Sequence, residues 1–434
     1  MNKTSRRTRR SKPDRGTDGP VNRSGKDYWR QWTYPYSHLE IFSDDQVEAI
    51  HEASLTVLAE IGIRVLHAPS RDRLKAAGVT VGDDMMVKFD PDHLMELIAT
   101  APSEITMKAR NPLCDVTMGG RHLAMATVGG SPFYSDIDVG RRAGTFADFE
   151  NFNKLAQTFN AMHLIGPNVE PQDIPVHIRH LHTSRSQATL TDKVPFLFFR
   201  GHDVVTDGYE IFRLAHGLNE DEFRNTPVCW SVANSNSPLQ LDELMCQGII
   251  DAAEYGQVMV LTPFTLSGAM APVTIAGALT QQNAEALAGI ALSQVVRPGA
   301  PVVYGSFTSN VDMRSGSPAF GTPEYTKAAF GSGQLARRYN LPLRSSAPTA
   351  SNCVDAQAAY ETQMSLWGAV AGGANMVLHA AGWLEGGLVA SAEKFIVDIE
   401  VLQMFAELMQ PVEVSDASIG LDAGQPKVGQ VQIR

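Results

Sequence analysis

Eight short apolar segments recur between residues 125 and 380, and a helix-like segment follows each of them. The candidates are residues 126–136, 163–170, 195–200, 227–233, 258–265, 301–307, 341–347 and 375–381. Val, Leu, Phe and Met dominate them with little polar alternation, as in strands covered on both faces. Eight such strand–helix units closed on themselves make an α/β fold, the TIM (β/α)8 barrel. The barrel says where to look. Polar residues just past each strand's C-terminal end build sites, and those at the other end serve stability.

A chain of 434 residues holds one barrel plus an extra N-terminal layer. Residues 1–27 read as a disordered basic tail. The first 30 residues hold ten Lys/Arg against three acids, so this head carries +7 and the remainder −18 of the net −11. Almost nothing in it is apolar before Tyr28. It lacks the apolar stretch of a secretory signal. Arg6 to Arg10 read as a solvated tail, and a nucleic-acid partner is not expected.

Residues 28–122 read as an α-rich N-terminal extension. It opens with an aromatic strap, and Ser43 with Gln46 forms a capping box. Residues 123–411 read as the barrel, and 412–434 as a C-terminal tail. No run of 18 apolar residues suggests a membrane span. Four scattered cysteines in an acidic chain suggest a reduced, cytoplasmic protein. A homo-oligomer is expected.

The segment after strand 8 places His379, Trp383 and Glu385 within seven residues on a Gly-rich loop at the expected active face. Gly lets backbone approach a ligand closely. After strand 7, Asp355 reads equally as the N-cap of the next helix or as a site residue. Other strand ends offer Tyr134, Asp136, Asp138, Asn168, Glu170, Arg200, His202, Asn234 and Asn236. His177, His180 and His182 do not share one helix face, and no metal is expected. A lysine suited to a Schiff base and a zinc ligand set are both missing from the strand ends. Gly129-Gly130 does not open a dinucleotide fingerprint, and HExxH, GxSxG and P-loop patterns are absent. Aromatic and neutral polar groups that remain suit a bulky cation without N–H donors, such as a quaternary ammonium.

Several motifs together resemble the trimethylamine methyltransferase superfamily. They are 138–145 (DVGRRAGT), 268–279 (GAMAPVTIAGAL), 282–285 (QNAE), 297–305 (RPGAPVVYG), 355–361 (DAQAAYE) and 381–387 (AGWLEGG). The resemblance runs in order from about residue 40 to 422. It implies a TIM barrel that moves a methyl group from a methylamine to the Co(I) corrinoid of a separate carrier protein. It also implies pyrrolysine before Asp-Ala-Gln in the family's founding members. Here Asn352, Cys353 and Val354 stand there, which resembles the non-pyrrolysine, glycine betaine branch. After Asp422 the chain departs from the family pattern, and a C-terminus truncated relative to the family is expected.

The expected function is therefore corrinoid-dependent methyl transfer from a betaine-type quaternary amine. His379 and Glu385 are the expected catalytic residues. Tyr134, Asn234, Trp383 and Asp355 are the expected substrate-binding residues. The alternative is a catalytically impaired or regulatory barrel that binds a small methylated amine.

Overall fold

The structure is a computed structural model that describes residues 31–420. Both the basic tail and the altered run after Leu421 lie outside the described residues.

Eight parallel strands form a closed ring. Strand 1 is His122–Met125, strand 4 Trp230–Ala233, strand 5 Val258–Leu261, strand 6 Val302–Gly305, strand 7 Leu343–Ser346 and strand 8 Met376–Leu378. Strands 4 to 8 pair in succession, and strand 8 pairs back onto strand 1 through Met376 and Ala124. Single bridges complete the ring. Ala126 pairs with Leu164, Leu164 with Val194, and Phe196 with Trp230. Leu164 therefore marks strand 2, and residues 194–196 mark strand 3.

One helix follows each strand. In order they are Phe146–Thr158, Val176–Leu190, His202–His216, Glu243–Tyr255, Ile275–Val296, Pro323–Arg338, Ala356–Ala371 and Ala392–Leu408. Their starts are written into the sequence as side-chain caps. Thr145 and Asp148 form a capping box, and Asp242, Thr274, Thr322, Asp355 and Ser391 each accept a backbone N–H.

Apolar side chains from small to large fill the ring, among them Ala124, Leu164, Val194, Trp230, Val260, Val303 and Met376. A hairpin of Glu104–Met107 with Val116–Gly119 adds Ile105, Met107, Val116 and Met118 to the same cluster. That hairpin precedes strand 1 directly and plugs the N-terminal mouth. The opposite mouth remains for chemistry. N-terminal helices Asp44–Thr56 and Pro91–Ala99 rest on Ile275–Val296. Trp32–Thr33 pairs antiparallel with strand 1.

The structure corrects the bounds of three strands. Strand 1 is not 126–136 but His122–Met125. Gly129, Gly130 and Pro132 break the later segment, and Phe133–Asp136 pairs with Gly140–Ala143 in a hairpin above the ring. The apolar run 258–265 holds two strands. After Pro263 the chain restarts as Phe264–Ser267, which pairs with Phe307–Val311 in a second tier. Residues 301–307 divide in the same way, after Gly305. Hydrophobicity alone did not separate a barrel strand from the tier stacked on its end.

Candidate active site

At the end of strand 8 the chain turns sharply. His379 has φ +61, a conformation that costs a residue with a Cβ and persists where the surroundings enforce it. Here the backbone N–H of His379 donates to Thr127 O (3.3 Å) and that of Ala380 to Ala126 O (3.0 Å). The turn aims the imidazole at the barrel axis, where it is 7% exposed. Gly129 makes room for it. A Cβ at Gly129 would lie 2.5 Å from His379 Cε1.

Aromatic rings enclose the imidazole. Trp383 lies 4.0 Å from it, centroid to centroid, and Phe307 lies 5.8 Å away. Phe320 stacks on Phe307 at 5.3 Å, and Tyr325 stands edge-on to both. Trp383 is fixed by its indole N–H, which donates to Thr349 O at 3.0 Å. Tyr325 is fixed by its hydroxyl on Ser346 O at 2.7 Å.

A buried arginine completes the group. Arg344, in strand 7, pairs in register with Met376, an interior residue, so its side chain enters the ring. Its Nη2 donates to His379 Nε2 at 3.2 Å and its Nη1 to Ser306 O at 3.3 Å. Its guanidinium lies 5.2 Å from the Phe307 centroid. Arg344 is 2% exposed, makes no ion pair with any described residue, and its Nε has no partner.

These neighbours set the charge state. Burial draws the Arg344 pKa down to about 10, which leaves it cationic at neutral pH. Burial, reinforced by the Arg344 charge, holds His379 well below the usual histidine range. His379 is therefore a neutral imidazole. Its Nε2 accepts from Arg344, which puts the proton on Nδ1, and Nδ1 has no partner in the protein. The sign follows from linkage. Stability held by the neutral ring is complete above about pH 6.5 and is lost as pH falls through the lower folded value. We expect the His379 ring resonances, assigned by their loss in His379→Gln, to show no titration between pH 6 and 8. A midpoint near 6.5 would contradict the neutral, arginine-bound imidazole.

Buried carboxylates hold the loops around this group. Glu361 accepts from Thr349 and from the N–H groups of Ala350 and Ser351. Thr349 O takes the Trp383 indole, and Ser351 O takes the Glu385 N–H. Glu285 does the same for the loop after strand 4, accepting from Ser235, Ser237 and Leu239 N. Asp398 accepts from Gly382 N at 2.8 Å and pairs with buried Lys394.

Of the six residues singled out in the sequence, the structure brings His379 and Trp383 into contact. The other four have different neighbours. Glu385 turns its carboxylate to Arg141 of the hairpin at 3.2 Å. Tyr134 packs under Arg142 (4.6 Å) and against Phe152 (6.4 Å). Asp355 caps its helix, accepting from Ala358 N at 2.9 Å and Ser351 Oγ at 3.2 Å. Asn234 is exposed one residue past strand 4. Glu170 pairs with Arg179 and Arg200. His180 faces Asp207 while His182 stands edge-on to Phe146.

Arg344, Phe307, Phe320 and Tyr325 were not anticipated. Arg344 had a legible signal, since a charged residue stood in the middle of an apolar strand.

The C-terminal mouth of a (β/α)8 barrel therefore holds a buried aromatic cluster, a neutral histidine and an arginine without an ion-pair partner among the described residues. The profile described as Trimethylamine methyltransferase (MTTB) matches residues 5–430, so the chain belongs to the trimethylamine methyltransferase family and is a methyltransferase. It is 38% identical over 391 residues to the glycine betaine methyltransferase of Desulfitobacterium hafniense (strain Y51), covering 90% of this chain and 81% of that protein. It is 28% identical over 386 residues to the trimethylamine methyltransferase MttB of Desulfitobacterium hafniense (strain DSM 10664 / DCB-2), covering 88% and 77%. In structure it resembles the Methanosarcina barkeri monomethylamine methyltransferase MtmB, with a TM-score of 0.60 at 12% identity over 87% of this chain and 76% of that one. That likeness concerns the fold alone.

Proposed function

We propose that the protein moves a methyl group from a betaine-type quaternary amine to the Co(I) corrinoid of a separate carrier protein. The observation that carries this reading is the cluster of Trp383, Phe307 and Phe320 beside an imidazole that stays neutral. Aromatic faces attract a permanent cation, more strongly where water is excluded. The greater identity to a glycine betaine enzyme than to a trimethylamine enzyme supports the same substrate class. So do the ordinary residues Asn352, Cys353 and Val354 before Asp355.

The chemistry asks little of the protein's acids and bases. The N–CH3 bond breaks with its electron pair left on nitrogen, so the amine departs neutral and no proton need move. The reduced corrinoid, when docked, supplies the nucleophile that accepts the methyl group. This chain's residues bind the cation, orient the donor methyl and exclude water.

The rim of the C-terminal mouth fits a docked carrier protein. Its loops expose large apolar side chains: Ile137 and Val139 after strand 1, Val273 after strand 5, Met313 after strand 6 and Leu388 after strand 8. Large apolar side chains exposed on loops at this end of the barrel support a protein contact there. Among the described residues, no helix is long and apolar enough to cross a membrane. All four cysteines are free thiols, which suits the cytoplasm.

The test mixes the protein, glycine betaine and a corrinoid carrier protein with its cobalt reduced. We expect methyl-corrinoid absorbance to appear together with dimethylglycine. Glycine betaine at about one hundred times its dissociation constant should stabilise the protein by about 2.7 kcal/mol. Stabilisation without transfer to any corrinoid carrier would favour the impaired or regulatory barrel. Turnover of trimethylamine and of no quaternary amine would overturn the substrate class.

A further inference from the structure

We propose that Arg344 is the anion-binding residue of this site, so that the site selects zwitterionic methylated amino acids and rejects cations that lack an acid group. The inference rests on the reading of it as a quaternary-amine site, and it adds what that reading does not contain.

Three observations carry it. First, Arg344 is a fixed positive charge 2% exposed, and a buried charge is normally paired. Its protein contacts are one carbonyl, Ser306 O, and one imidazole nitrogen, His379 Nε2. Neither is anionic. Second, two donors of this group have no protein partner, Arg344 Nε–H and His379 Nδ1–H. Ser346, which shares Arg344's interior face, also has an unpartnered hydroxyl. Third, the guanidinium lies over the same Phe307 ring that faces His379 and Trp383.

Put together, these place a fixed cation beside an aromatic site suited to a cation. Two like charges in one buried site repel. A bare methylated cation therefore meets an uncompensated charge. A zwitterion does not. Its carboxylate sits on Arg344, where charge-assisted hydrogen bonds are strong, and its ammonium rests on the aromatic faces. In glycine betaine one methylene separates the two charges, so the groups that meet them must lie close together, as Arg344 and Phe307 do at 5.2 Å. An amino acid with a longer spacer would have to bend to satisfy both.

The test uses the full-length protein and three small probes that share one trimethylated end. Glycine betaine has both charges. Choline keeps the cation and replaces the carboxylate with a hydroxymethyl. 3,3-Dimethylbutanoate keeps the carboxylate and replaces nitrogen with carbon. Calorimetry on the unaltered protein should show glycine betaine binding at least about 30-fold tighter than choline. Arg344→Met should remove that preference by weakening glycine betaine at least about 30-fold, with choline unchanged or tighter. Arg344→Lys, which keeps the charge but loses the planar fork, should retain part of it.

Equal affinity of the unaltered protein for choline and glycine betaine overturns the proposal and needs no variant. So does an Arg344→Met protein that is folded and binds glycine betaine normally. A different result distinguishes failure of the underlying reading. If the unaltered protein binds 3,3-dimethylbutanoate but neither methylated cation, Arg344 is an anion site and the quaternary-amine reading is wrong.

Discussion

Replacing Asp398 with alanine is expected to destabilise the protein by about 3–5 kcal/mol, measured as a lower denaturant midpoint. The pair it belongs to is sealed. Lys394 and Asp398 have side-chain exposures of 0% and 1% and stand one turn apart on the helix Ala392–Leu408. Burial pushes the Asp398 carboxyl upward, and the Lys394 ammonium opposes that. Asp398 Oδ2 accepts the N–H of Gly382, and Lys394 also donates to Thr362 at 2.8 Å. Removal of the carboxylate strands an ammonium and an amide in the dry interior. The charge, not the lost contact, dominates that cost. The double change Lys394→Met with Asp398→Leu should therefore recover most of the loss. A single variant within about 0.5 kcal/mol of the parent would show that the pair is not structural.

Asp398 also shows why part of this protein was legible in its sequence and part was not. Local signals were sound. Thr145, Thr322 and Asp355 cap helices where the caps stand in the chain, because capping involves only neighbours three residues apart. The alternation of apolar segments and helices gave the barrel for a similar reason. Each strand must be covered on both faces wherever the chain takes it.

Tertiary direction was not available in that way. Tyr134 seemed to end a barrel strand only while strand 1 was read through Gly129 and Gly130. With the strand at His122–Met125, Tyr134 belongs to the upper hairpin beside Arg142. Arg344 lies inside strand 7 and not past its end, so the pattern of polar residues after strand ends does not point to it. Two acidic residues carried the motifs without a visible reason. Glu285 of QNAE and Glu361 of DAQAAYE each gather the hydroxyl and amide donors of a separate loop. Their role depends on donors brought together only by folding.

His379→Ala is expected to lower methyl transfer by at least about 100-fold while leaving the fold intact. The imidazole does two things that alanine cannot. It accepts a hydrogen bond from Arg344 Nη2, and it fills the space between Trp383 at 4.0 Å and Gly129. Without it the guanidinium keeps one acceptor, Ser306 O, and both Arg344 and Trp383 gain freedom. The reaction depends on alignment of a methyl carbon with a nucleophile. A misplacement of about 1 Å is enough to cost on the order of 100-fold. Some stability should be lost, about 1–3 kcal/mol, because a buried ring and one acceptor of the buried Arg344 are removed, so the rates are compared on protein shown to be folded by its melting transition. The kinetic signature separates positioning from simple loss of affinity. With alignment lost, kcat falls more than KM rises. His379→Gln offers an acceptor again and should recover part of kcat. A folded His379→Ala protein with near-normal turnover would remove His379 from the site and leave Arg344 and the aromatic rings to hold the substrate alone.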